Sequence, residues 1–86
     1  MSKYEFSLRQ EVLMEQGATV LGDLFRLRRT HGETNLADPA SIMYELVWRA
    51  KQDILRAKTE PELDRIEGQF HLADQFIAKS GFAAYA

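Results

Sequence analysis

The sequence has no cysteine, only two prolines, and no apolar run of the length that crosses a membrane. The missing cysteine excludes disulfides, thiolate metal sites and cysteine nucleophiles. A membrane span needs about 20 predominantly apolar residues, and a secretory signal needs an uninterrupted apolar stretch near its start. Neither occurs, so the sequence predicts no contact with membranes and a cytoplasmic location.

A strong charge of either sign is also missing. Eleven basic and 13 acidic side chains leave a formal net charge of −2, which argues against binding to nucleic acids through bulk charge. Apolar residues make up 45% of the 86 residues, enough to form a packed core. The chain is therefore predicted to be one helical domain over residues 1–86.

The apolar spacing predicts three amphipathic helices, at about residues 4–29, 39–58 and 60–79. No segment alternates with the period of a strand. Short connections between long helices favour antiparallel neighbours. The predicted fold is therefore all-α, a small antiparallel three-helix bundle followed by an apolar C-terminal tail at residues 82–86. The apolar positions that define it are Phe6, Leu13, Val20, Leu24 and Leu27 in the first helix, Met43, Leu46, Val47, Ala50, Ile54 and Ala57 in the second, and Leu63, Ile66, Phe70, Ala73 and Ile77 in the third.

The helix boundaries carry their own signals. Asp38 before Pro39 is typical of an N-cap followed by proline in the first turn. Thr59 and Glu62 have the spacing of a capping box. Within the first helix, Gly17 and Gly22 each lower the stability of the helix by about 1 kcal/mol relative to alanine. A kink or a split near these glycines is therefore the alternative, but the first helix is expected to be continuous.

Catalytic motifs are missing as well. The segment from Gly17 to Gly22 lacks the Gly-Lys-Ser/Thr ending of a phosphate loop. Glu67, His71 and Asp74 share one side of the third helix, which is a spacing that a metal could use. A solvated helix flank is the preferred interpretation, because no second helix supplies further ligands. The sequence predicts no enzyme activity, no cofactor and no metal site.

The second helix carries more apolar surface than a three-helix bundle needs. Tyr44, Trp48 and Leu55 lie on a second stripe, away from the core positions. One interpretation is that a bent first helix covers this stripe. The preferred one is a protein interface, since aromatic residues beside arginine are typical of binding hot spots. The flanking candidates for this interface are Arg49, Lys51 and Arg56.

The end of the first helix carries a basic cluster formed by Arg26, Arg28 and Arg29. Positive charge there complements the helix dipole, and the same arginines are candidates for binding an anion or a nucleic acid. The predicted function is a non-catalytic protein-interaction module: a small regulator, adaptor or inhibitor that binds a protein partner and self-associates as a homodimer. The alternative is a small regulator that binds nucleic acid through these arginines.

Overall fold

The computed structural model describes residues 2–30 and 38–80, which form three α-helices. They are α1 (Lys3–Thr30), α2 (Pro39–Ile54) and α3 (Glu60–Lys79). This arrangement confirms the predicted all-α three-helix bundle. The predicted apolar tail at 82–86 lies outside the described residues.

Contacts between helix ends define the direction of each helix. The side-chain amide of Gln10, near the start of α1, donates to the carbonyl of Ile54 at the end of α2 (2.9 Å). Arg9, also near the start of α1, forms ion pairs with Asp64 (2.6 Å) and Glu67 (3.2 Å) in the first half of α3. Thus α2 runs antiparallel to α1, and α3 runs parallel to it, as in an up-down-up bundle.

The predicted caps are present. The Asp38 carboxylate accepts from the backbone N–H of Ala40 (3.0 Å), and Pro39 occupies the first turn of α2. At α3, the Thr59 hydroxyl accepts from the Glu62 N–H, while the Glu62 carboxylate accepts from the Thr59 N–H (3.0 Å). Several of the orphan donors at these helix starts are thereby satisfied.

The end of α2 differs from the prediction. The helix ends at Ile54 instead of residue 58, and Leu55 and Arg56 form a turn. The reason lies in the capping of α3, because Thr59 must adopt an extended conformation (φ −132°, ψ 157°) to act as its N-cap. Ala57 is still buried in the core, so the apolar spacing continues past the end of the helix itself.

One core joins the three helices, and its largest fully buried side chains come from all of them. They are Phe70, Leu13, Leu24, Leu27, Ile54, Leu63, Ile66 and Val47. One predicted core position is wrong: Leu46 is 39% exposed. On a helix, Leu46 is turned about 100° from Val47, and it lies on the flank of the buried face. None of the described helices has the length and hydropathy needed to span a membrane.

Helix α1 is a single helix through both glycines. A methyl group on Gly17 would lie 2.9 Å from Cζ of Phe70 and 3.3 Å from its Cε2. Glycine is therefore required here for the close approach of α1 to a ring that is fully buried. Gly22 has no such neighbour, since a methyl group there would meet nothing within 4 Å.

These two glycines should respond oppositely to alanine. Gly22→Ala should raise the free energy of unfolding by up to about 1 kcal/mol, because alanine favours the helix. Gly17→Ala has the same propensity gain, but overpacking costs about 1–3 kcal/mol, so a net loss is expected. Urea denaturation of both variants measures the difference. Equal stabilisation by the two substitutions would show that the contact of Gly17 with Phe70 is not restrictive.

Candidate protein-binding surface

The second apolar stripe of α2 lies at the surface. Trp48 is 49% exposed and Leu55 is 68% exposed, while Tyr44 is half-buried and packs against the core. Helix α1 is continuous and does not cover Trp48. The alternative, in which a bent first helix covers the stripe, is therefore wrong for Trp48 and Leu55. We call Tyr44, Trp48 and Leu55 the Trp48 surface.

The predicted flanking cations differ in their surroundings. Arg49 forms an ion pair with Glu45 one turn earlier on α2 (2.5 Å), and Arg56 lies 4.0 Å from Asp53. Lys51 is half-buried and its stem runs past Gly17 of α1. The Trp48 surface is therefore bordered by both charge signs, with exposed ion pairs that contribute little to stability on their own.

A cavity of about 300 Å³ adjoins Trp48 where the end of α1 meets the start of α2. Its lining consists of Arg28, Ser41, Tyr44, Glu45 and Trp48. The guanidinium of Arg28 lies over the Tyr44 ring, 5.1 Å from its centroid, which is within the range of a cation–π interaction. The sequence pattern placed Arg28 and Tyr44 in separate candidate sites, and the antiparallel packing of α1 and α2 brings them together.

A further apolar surface lies on α1 and was missed from the sequence. Tyr4, Leu8 and Val12 are exposed at consecutive turns, and Tyr4 is 77% exposed. Their spacing of four residues is a signal that was available, since residues i, i+4 and i+8 follow one side of a helix. We call these three residues the α1 stripe.

The match to a family model covers residues 2–80 and is described as bacterial epsilon antitoxin. The chain belongs to the epsilon antitoxin family. Comparisons with curated proteins and with solved structures gave no match.

Membership of the epsilon antitoxin family confirms the coarse functional prediction. An antitoxin is a small regulator that acts by binding and inhibiting a toxin protein. The family is one of non-catalytic inhibitors, which agrees with the lack of a catalytic motif in the sequence. The family therefore implies a protein partner, a toxin.

The arginines at the end of α1 have different surroundings in this antitoxin. Arg26 pairs with Asp23 on its own helix (2.6 Å), and Arg28 turns towards Tyr44 of α2. Arg29 is exposed. Membership of the antitoxin family supports a protein-binding regulator and lends no support to the alternative prediction, binding of nucleic acid through these arginines.

Glu67, His71 and Asp74 also have different surroundings. Glu67 accepts a hydrogen bond from Arg9, whereas His71 and Asp74 are exposed. Over residues 2–30 and 38–80, no group of three or more histidine or acidic side chains is placed to hold a metal ion. Glu67 thus belongs to the contact in which Arg9 links α1 to α3, whereas Asp74 is affected by Asp23 further along α1.

Asp74 lies in a region of α3 that is unfavourable for its charge. Partial burial raises the pKa of the Asp74 carboxyl above its ordinary value of 3.8, and Asp23 of α1 raises it further, while His71 lowers it. A carboxyl with a raised pKa in the folded state destabilises the fold when ionised. The ionised Asp74 carboxylate therefore lowers the stability of the fold at neutral pH, and this loss disappears below the ordinary pKa, where the carboxyl is protonated in both the folded and the unfolded chain.

Asp74→Asn should therefore raise the melting temperature modestly at about pH 7, and the gain should vanish by about pH 3. The effect is expected to be small because Asp74 is largely solvated. Thermal unfolding followed by circular dichroism across this pH range provides the measurement. Glu11→Gln, on the exposed side of α1, is the matched control and should change little. A stabilisation by Asp74→Asn that is constant with pH would contradict the electrostatic explanation.

Proposed function

We propose that this antitoxin inhibits its toxin by direct contact through an exposed apolar surface of the bundle, and that the Trp48 surface makes this contact. The single observation that supports this choice is the exposure of Trp48 on α2 and of Leu55 in the turn directly after it, next to arginines. Tryptophan, tyrosine and arginine are the residue types enriched among binding hot spots.

The Trp48 surface has the properties of a preformed contact. Tyr44 is fixed by its packing against the core and by Arg28, and α2 begins at a well-formed cap. A side chain held on a rigid helix loses less conformational entropy on binding than one on a loop. A large aromatic side chain buries about 150–250 Å² when it is covered, so Trp48 offers the greatest gain from a single residue on this surface.

Self-association is a separate part of the proposal. The described part of the chain exposes the Trp48 surface on α2 and the α1 stripe, which lie on different helices. A protein that binds a toxin and also forms a homodimer needs two separate contact surfaces. We propose that a second copy binds at the surface that the toxin leaves free, which is the α1 stripe when the toxin covers Trp48.

Trp48→Ala should weaken binding to a purified toxin of the kind that epsilon antitoxins counteract by about 2 kcal/mol, or roughly thirtyfold. The reason is the loss of a half-exposed aromatic ring from the centre of the contact. Isothermal titration calorimetry measures the affinity, and recovery of toxin activity reports the loss of inhibition. Leu72→Ala, on the exposed side of α3, is a control for removing an apolar side chain elsewhere. Full affinity in Trp48→Ala, together with lost affinity in a Leu8→Ala/Val12→Ala double variant, would move the toxin contact to the α1 stripe.

Self-association has its own test. Sedimentation equilibrium of the free antitoxin over a concentration series should show a dimer, and Leu8→Ala/Val12→Ala should shift it towards the monomer because the apolar contact is lost. The fluorescence of Trp48 should not change with concentration if this residue lies away from the dimer contact. A concentration-dependent blue shift would instead place Trp48 between the two copies.

A further inference from the structure

The side of α1 that faces away from the core carries its charges in a regular order. At steps of three and four residues, which follow one side of a helix, two glutamates are followed by two small residues and then by two arginines. Tyr4 and Leu8 of the α1 stripe continue the same steps towards the start of the helix. We call the six positions the outer side of α1. They are Glu11, Glu15, Ala18, Gly22, Arg26 and Arg29.

The charged groups of the outer side of α1 are accessible to a partner. The two glutamates and the two arginines are exposed. In the part of the chain that the structure describes, Glu11, Glu15 and Arg29 form no ion pair. Arg26 pairs with Asp23 on its own helix (2.6 Å), so it adds positive charge to this half of the helix without being free. The outer side is therefore acidic in its first half and basic in its second.

The middle of the outer side has no long side chain. Ala18 is exposed, and a methyl group on Gly22 would meet nothing within 4 Å. The distance between two packed helices depends on the side chains at their contact. The backbone of another helix can therefore approach α1 closely between its acidic and its basic half.

We propose that two copies of this antitoxin associate through the outer sides of their α1 helices, which lie antiparallel and cross near residue 20. In this register Gly22 lies opposite Ala18 of the second copy, and Glu11 lies opposite Arg29 of the second copy. A two-fold axis repeats each of these contacts, and one α1 stripe lies at each end of the interface. This inference rests on the proposed self-association and adds the orientation and the charges of the contact.

The charges favour this register over the other two-fold arrangements of α1. A parallel pair would place Glu11 against Glu11 and Arg29 against Arg29. An antiparallel pair centred on Leu8 would place Glu11 opposite Glu5. Like charges brought together in a contact oppose binding, whereas the register near residue 20 joins opposite charges. Because exposed ion pairs contribute little on their own, we expect them to select the orientation while the close helix contact and the α1 stripe supply most of the affinity.

Charge reversal tests the orientation. Glu11→Arg and Arg29→Glu should each weaken self-association by about tenfold at low salt, because two attractive contacts in each dimer become repulsive. An equimolar mixture of the two variants should associate as well as the wild type, since every contact in the mixed dimer again joins opposite charges. Sedimentation equilibrium of each variant and of the mixture provides the measurement. Arg65→Glu, on the exposed side of α3, is the control and should leave self-association unchanged.

Gly22→Gln tests the close approach of the two helices. Glutamine favours the helix over glycine, so the melting temperature of the dilute antitoxin should rise. The longer side chain should hold the second helix away and weaken self-association by about tenfold. Gly68→Gln on α3 is the matched control, because a methyl group on Gly68 also meets nothing within 4 Å. It should raise the melting temperature and leave self-association unchanged.

The outcomes separate this inference from the proposed self-association. A free antitoxin that stays monomeric at all concentrations overturns both. A dimer that is weakened by Leu8→Ala/Val12→Ala, but not by Gly22→Gln or by either charge reversal, supports self-association at the α1 stripe and overturns the antiparallel register. Charge reversals that weaken the dimer without recovery in the mixture overturn the register as well. If Glu11→Arg weakens only the binding of purified toxin, the outer side of α1 contacts the toxin and the inference is again overturned.

Discussion

The contact between Gly17 and Phe70 determines how closely the helices of this antitoxin pack. Phe70 is fully buried, and its ring occupies the space that a side chain at position 17 would need. Since α1 passes the ring without bending away, one unbroken helix can contact both α2 and α3 along its length. The core takes up the side of α2 that carries Val47, Ala50 and Ile54. Trp48 and Leu55 lie away from that side and stay exposed.

The helices and their starts could be predicted from the sequence because their causes are local. Asp38 with Pro39, and Thr59 with Glu62, satisfy backbone donors within a few residues, and such signals need no knowledge of the fold. The end of α2 could not be predicted in this way. It depends on the extended conformation of Thr59 and on the hydrogen bond from Gln10 of another helix to the Ile54 carbonyl. Tertiary contacts of this kind leave no periodic trace in the sequence.

The candidate surface could be predicted in part, because the apolar faces of α2 can be identified from the sequence. Counting apolar faces on α2 shows that one of them has no partner in a three-helix bundle, and this leads to Trp48. The role of Arg28 is different, because its position beside Tyr44 follows from the antiparallel arrangement of α1 and α2. The α1 stripe had a clear spacing at Tyr4, Leu8 and Val12, but the wide apolar face of α1 conceals which side is buried. Only the packing of the bundle separates the buried positions from the exposed ones.

An inhibitor made from three helices has to reconcile a small core with a large binding surface. Each apolar side chain left outside the core gives up stabilisation of about 1.5–3 kcal/mol that burial would provide. The caps of α2 and α3 and the two ion pairs of Arg9 offset part of this loss without using apolar surface. The cap of α2 also fixes the start of the helix that carries Trp48, and a contact presented on a formed helix requires little ordering on binding. The residues that stabilise the bundle thus differ from those proposed to contact the partner, although both sets lie on the same helices. This is why so short a chain can fold and still expose aromatic side chains to a partner.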